Sequence, residues 1–144
     1  IASQTTGALV EISWQDGALI KEYIKAPSGI KFAEVSPVFN EICVIKGLTT
    51  LEVMNFPAMT YSPNFRSYEA NPLRKLQWTR DSNRFFGWGL DGSIRFWDAK
   101  TGQELLKLNA HEGHVVGLAE LQGGKKYLSL GKDNQLKLWD ADSE

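Results

Sequence analysis

The chain has 144 residues and only one cysteine, Cys43, and two histidines, His111 and His114. A lone cysteine cannot pair within the chain. It lies in the apolar run Glu41-Ile42-Cys43-Val44-Ile45, which reads as a buried, inert thiol. One cysteine fits a reducing compartment, and we expect a cytoplasmic protein. Two histidines and one cysteine do not make any of the common zinc-ligand sets, and no ligand spacing is present. No apolar run approaches the 18 or so residues of a membrane span, and no signal-peptide pattern is visible. The charge has no surplus of either sign: 16 basic and 17 acidic residues leave a net of −1. That is not the footprint of a nucleic-acid binder. The modest basic stretch Arg66, Arg74, Lys75, Arg80 and Arg84 is interrupted by Glu69 and Asp81 and reads as solvated loops and strand edges. We expect no cofactor, no metal, no nucleic acid and no membrane as partners. Gly87-Trp88-Gly89 and Gly123-Gly124 lack the Gly-x-x-x-x-Gly-Lys frame of a phosphate loop. The acidic tail Asp140, Asp142 and Glu144 lacks the regular oxygen ligands of a calcium loop.

What the chain does have is a repeat. Asp91-Gly92-Ser93-Ile94-Arg95-Phe96-Trp97-Asp98 returns as Asp133-Asn134-Gln135-Leu136-Lys137-Leu138-Trp139-Asp140. Each copy opens on a tight-turn dipeptide and continues with alternating side chains, the pattern of a strand that uses both faces. A period of about 40–45 residues ending in Trp-Asp marks a four-stranded propeller blade.

On these residues the chain resembles the WD-repeat β-propeller family. The resemblance implies an all-β fold: a β-propeller of four-stranded antiparallel blades, here an incomplete ring. It also implies a structural tetrad. His111, Ser129, Asp133 and Trp139 stand at the family's spacing for a His before the first strand, a Ser on the second, an Asp in the turn and a Trp on the third. In the preceding copy Asp91 and Trp97 remain, but Gly87 stands for the Ser and Glu69 for the His. One copy earlier the places hold Ala26, Val44, Leu48 and Met54, so apolar packing replaces the tetrad. The register divides the chain into a partial blade at 1–25, a diverged blade at 26–68, a WD-repeat blade at 69–110 and a C-terminal one at 111–144. About three and a half blades fall short of the ring of seven usual in the family. The missing blades are expected from the rest of a longer chain or from another subunit.

Ser129, His111 and Asp133 could be mistaken for a hydrolase triad. Their spacing is that of the tetrad, which satisfies buried polar groups, and no Gly-x-Ser-x-Gly elbow occurs. We therefore expect no enzyme. The resemblance implies a scaffold for protein–protein interaction, with other proteins as partners. Alternatives are a segment of a propeller-containing enzyme or of a nucleic-acid-associated assembly. In the family, partners commonly lie on the face made by the turn before the tetrad Asp and by the loop entering the first strand. Carried over, the turn positions are Thr5, Gly47, Leu90 and Lys132. The entry-loop positions include Asn71, Glu112 and His114, with Pro27, Ser28 and Ala70 beside them. Leu90 is the most telling, because an apolar side chain in a tight turn asks for a cover. Trp78, Phe85, Phe86, Trp88, Phe96 and Trp97 are expected in the core. Trp14, matching Ala99 just past a strand, is the exception. The stretch from Pro57 to Pro72 is expected to form an extended outer strand and a loop.

Overall fold

In the computed structural model, the described residues are 2–3, 8–25, 29–47, 50–56, 58–62, 68–69 and 73–141. Fifteen strands lie among them, and the only helical element is a three-residue 3-10 turn at Gln122–Gly124. The strands form four antiparallel sheets that do not close into a barrel.

The first sheet contains β1 (Ala2–Ser3), β2 (Ala8–Ile12) and β3 (Leu19–Lys25) in that spatial order. The second is built on β4 (Ile30–Val35), β5 (Glu41–Lys46) and β6 (Thr50–Asn55). Its outer position is split. β7 (Thr60–Tyr61) pairs with Met54 and Asn55, whereas β8 (Tyr68–Glu69) pairs with Thr50 and Leu51. Two short pieces thus cover one edge where the sequence pattern suggested one extended strand. The third sheet contains β9 (Leu73–Trp78), β10 (Arg84–Gly89), β11 (Ser93–Asp98) and β12 (Glu104–Asn109), each paired with its chain neighbour. The fourth contains β13 (Val115–Leu121), β14 (Lys126–Gly131) and β15 (Leu136–Asp140).

The core lies between the sheets. Cys43, Ile45, Leu51 and Val53 of the second sheet pack against Leu73, Leu76, Trp78, Phe85 and Trp97 of the third. Phe86, Trp88, Ile94 and Phe96 on the other side of the third sheet pack against Val115, Leu118 and Tyr127 of the fourth. All six aromatics expected in the core are buried, and Trp14 is fully exposed. Burial on both faces lets β10 carry the apolar run Phe85-Phe86-Gly87-Trp88, whereas β11 keeps its alternation of Ser93, Ile94, Arg95 and Phe96 with all four buried. The rings meet in the offset and edge-to-face geometries that aromatic quadrupoles favour: Phe85 stacks on Trp97 at 5.3 Å, and Phe96 meets Tyr127 edge-on at 4.9 Å.

Neighbouring sheets are also joined by polar contacts at the turn after each edge strand. The Trp78 indole N–H donates to the Glu34 carbonyl at 3.2 Å, and the Ser36 hydroxyl donates to Ser82 Oγ at 2.8 Å. The Arg80 backbone N–H reaches the Glu120 carboxylate at 3.2 Å. Edge strand β4 therefore stands beside β9, and the turn after β9 reaches β13.

Candidate interaction face and its hydrogen-bonded support

The loop entering β13 is fixed from below by a chain of side-chain hydrogen bonds. The Trp139 indole N–H donates to Ser129 Oγ at 2.8 Å, and Ser129 Oγ lies 2.8 Å from His111 Nε2. His111 Nδ1 is 3.0 Å from both carboxylate oxygens of Asp133. An ionised carboxylate only accepts, so Nδ1 carries the proton and Nε2 accepts from the serine hydroxyl. Asp133 also accepts from the backbone N–H groups of Glu112 and Gln135, at 3.2 and 3.1 Å. Burial pushes its carboxyl pKa up, but the Gln135 N–H, the His111 ring and the Glu112 N–H outweigh this, and the net shift is downward. The His111 side chain is fully enclosed, as is Ser129. A nucleophile must be reached by substrate; this serine is used up between an indole and an imidazole.

Gly131 makes room for the ring. A Cβ there would collide with His111 and with the Asp133 carboxylate. Gly92 does the same for the backbone. It sits at φ +74°, and a Cβ would run into the carbonyls of His111 and Gly113. The Gly92 carbonyl accepts from the N–H groups of Ala110 and His111, at 3.0 and 3.1 Å. These bonds draw the Leu90–Gly92 turn of the third sheet against the entry loop of the fourth.

The third sheet replaces the tetrad with a different network. Asp91 accepts from the Ser93 N–H at 3.1 Å and the Ser93 hydroxyl at 2.7 Å. The buried Arg95 guanidinium reaches Asp91 at 3.0 Å and Glu104 at 3.4 Å. Burial raises the Asp91 pKa, but the two Ser93 bonds and Arg95 overcome it and bring it down to about 2. Where the sequence offers Asp91 neither the Ser nor the His of the tetrad, the fold supplies Arg95. The signal was present, since both repeat copies place a basic residue on the Trp strand, Arg95 and Lys137. Lys137 serves the fourth sheet differently, donating to the Ala110 carbonyl at 2.6 Å. At Gly87, in the place of Ser129, the space is filled: a Cβ would meet Leu76 at 2.8 Å and Trp97 at 3.1 Å. In the second sheet, Val44 and Met54 stand in the places of Ser129 and Trp139 and are buried with Ile30 and Ile42; Ala26 and Leu48 lie outside the described residues.

Of the positions named for partners, Leu90, Glu112, His114 and Lys132 come together on one face. Leu90 is 40% exposed, Glu112 and Lys132 are exposed and His114 is half-buried. The Lys132 N–H donates to the His114 carbonyl at 2.8 Å. The second sheet repeats that bond, from the Gly47 N–H to the Gly29 carbonyl at 3.0 Å. Gly47 is half-buried and holds φ +60°. Thr5 and Asn71 lie outside the described residues.

The sequence profile described as "WD domain, G-beta repeat" matches residues 61–98 and 102–140. The chain belongs to the WD-repeat family. The two matched stretches cover more than half of it, and each begins on the outer strand of one blade and ends on the third strand of the next. Among curated proteins, the chain is 32% identical over 84 residues to Protein hir1 of Schizosaccharomyces pombe, covering 55% of this chain and 9% of that one. It is 37% identical over 73 residues to Pre-mRNA-splicing factor cwf17 of the same organism, covering 50% and 22%. It is 25% identical over 126 residues to Eukaryotic translation initiation factor 3 subunit I of Aspergillus terreus, covering 78% and 38%. The chain thus spans well under half the length of these relatives. Among solved structures, the computationally designed Ika8 protein superposes with a TM-score of 0.73 at 19% identity, over 96% of this chain and 41% of that one. That likeness concerns the fold.

Proposed function

We propose that the chain is part of a non-catalytic protein-interaction scaffold whose partner docks on the face carrying Leu90, Glu112, His114 and Lys132. The observation that carries this reading is Leu90, an apolar side chain 40% exposed in a turn that Gly92 bonds rigidly to the next blade. Loops held by a rigid frame are where repeat scaffolds place recognition. An exposed leucine rimmed by Glu112 and Lys132 offers an apolar anchor with a polar border, the arrangement common in protein interfaces. The burial of His111 and Ser129 argues against hydrolysis at the tetrad. The names of the curated relatives, a splicing factor and a translation-initiation subunit, suit a component of a larger assembly.

The remaining blades would come from the same polypeptide or from another subunit. Val116, Leu130, Leu136 and Leu138 leave an apolar surface on the last sheet, and a 460 Å³ groove beside β15 is lined by Leu105, Leu106, Leu108 and Leu138.

A photo-crosslinking amino acid placed at position 90, with position 80 at the opposite end of the blade as control, tests the docking face. A defined protein adduct at 90, absent at 80 and reduced by Lys132→Glu, is expected. Equal adducts at both positions, or none at 90, would overturn the reading.

A further inference from the structure

We propose that the turn between β2 and β3 is a site of covalent modification, where Asp16 and Gly17 rearrange through a cyclic succinimide to an isoaspartyl linkage. The modified turn is then a substrate for a carboxyl methyltransferase that recognises isoaspartyl residues. The inference is independent of the docking face.

The chain contains two Asp-Gly pairs, Asp16-Gly17 and Asp91-Gly92. Both have the same chemistry open to them. The glycine backbone nitrogen attacks the side-chain carboxyl carbon of the aspartate. A C–N bond forms, the N–H proton departs with the carboxyl hydroxyl as water, and a five-membered ring closes. Water then adds to either ring carbonyl and breaks the C–N bond on that side. Opening at the side-chain carbonyl restores aspartate. Opening at the main-chain carbonyl routes the backbone through the side-chain carbons and leaves the α-carboxylate free. Nothing is oxidised or reduced, and the product has the mass of the parent. Glycine permits the closure because no Cβ crowds its nitrogen or limits its backbone.

The surroundings separate the two pairs. Asp16 lies in an open turn: residues 14–20 are all exposed, and a Cβ built on Gly17 would meet nothing within 4 Å. The Asp16 carboxylate accepts from the Ala18 N–H at 3.1 Å, and the Gly17 N–H donates to the Ser13 carbonyl at 3.0 Å. Both bonds must open before the nitrogen reaches the carboxyl carbon. Water takes over the freed groups at the surface, so the cost is small, and exposed loops are the segments that open most readily.

Asp91 is enclosed. Its carboxylate accepts from the Ser93 N–H, the Ser93 hydroxyl and the buried Arg95 guanidinium, at 3.1, 2.7 and 3.0 Å. Gly92 has no room to swing, because its α-carbon faces the carbonyls of His111 and Gly113. Moving it would also break the bonds from Ala110 and His111 to the Gly92 carbonyl. Ring closure proceeds through the neutral carboxyl, which sheds water, whereas a carboxylate would have to shed oxide. The Ser13 hydroxyl and the Ala18 N–H lower the Asp16 pKa. Burial opposes such a shift at Asp91, but Ser93 and Arg95 bring that carboxyl down to about 2, which leaves little of it neutral.

The product alters the hairpin tip. An isoaspartyl linkage adds a methylene to the main chain between the residues that close the turn. The bonds from the Ser13 N–H to the Ala18 carbonyl, at 2.8 Å, and from Gly17 to Ser13 lose their register. Trp14, fully exposed at that tip, is re-aimed with them.

The test ages the intact folded chain for weeks at physiological temperature in heavy-oxygen water. Each ring opening inserts one labelled oxygen, and peptide mapping by mass spectrometry reads the label at Asp16 and Asp91 separately. An isoaspartyl methyltransferase with S-adenosylmethionine then counts the product, the methyl group passing to the free α-carboxylate oxygen. Label at Asp16 should exceed that at Asp91 about tenfold or more, given a factor of about five for each further bond that Asp91 must break. In denaturant the two pairs should react alike, which assigns the difference to the fold. Asp16→Glu would need a six-membered ring and should abolish methyl acceptance at this turn. The comparison of the two sites in the parent chain needs no variant. Equal label at both sites in the folded chain, more at Asp91, none at Asp16, or methyl acceptance unchanged by Asp16→Glu would each overturn the proposal.

Discussion

Phe85 and Phe86 are consecutive on β10 and serve different interfaces. Phe85 is stacked on Trp97 and buried against the second sheet, whereas Phe86 lies 5.4 Å from Tyr127 and is buried against the fourth. Strand alternation sends neighbours to opposite faces, and here both faces are interior. Each truncation to alanine should cost about 3–5 kcal/mol, and hydrogen exchange should tell them apart. Phe85→Ala should speed exchange first in β5 and β6. Phe86→Ala should do so in β13 and β14. Identical exchange maps would contradict two separate interfaces.

The indole of Trp139 has two tasks, packing and donation. Trp139→Phe keeps most of the ring and loses the bond to Ser129, which should cost about 1 kcal/mol. Trp139→Ala should cost about 3 kcal/mol or more. Denaturant melts compare the two, and equal losses would show that the hydrogen bond carries the whole effect.

Gly131 is predicted to be intolerant of even a methyl group. Gly131→Ala forces the His111 ring aside and should destabilise by about 1–3 kcal/mol, the range for overpacked sites. Gly117→Ala is the control, because a Cβ there meets nothing within 4 Å. It should change the melting midpoint little.

Acid should weaken the third blade through Asp91. Its folded pKa, about 2, lies below the ordinary value of 3.8. A depressed carboxylate lends stability that is complete above its unfolded pKa and is lost as pH falls through the folded one. Unfolding free energy measured from neutral pH downward should therefore drop between about pH 4 and pH 2. Asp91→Asn should flatten part of that drop. An unchanged acid limb in the variant would mean that Arg95 gains nothing from Asp91.

The Trp-Asp repeat carried most of the fold, because a turn dipeptide and a two-faced strand recur at one period. The spacing of His111, Ser129, Asp133 and Trp139 likewise placed four residues that are distant in sequence into one bonded chain. Other features had weaker signals. Arg95 was visible as a basic residue but not as a buried one, since burial depends on what Asp91 and Glu104 offer across the sheet. Gly87 looked like a lost serine; nothing local says that Leu73 and Leu76 fill the space. Ser82 joins the Ser36 turn at φ +57°, a left-handed conformation that its sequence neighbours do not advertise. The outer strand at 57–72 had little alternation to read, and two short pairings took its place.

The matched repeats, 61–98 and 102–140, are out of step with the sheets. Repeat 102–140 contributes β12 to one sheet and β13, β14 and β15 to the next. Duplicating or deleting such a unit therefore leaves every interior sheet with its full complement of strands. Growth by whole repeats changes the number of blades and the curvature, yet opens no new hydrogen-bonding edge inside the array. The segment that leads from β12 into β13 lies inside the unit, so each repeat carries the seam between two sheets within itself.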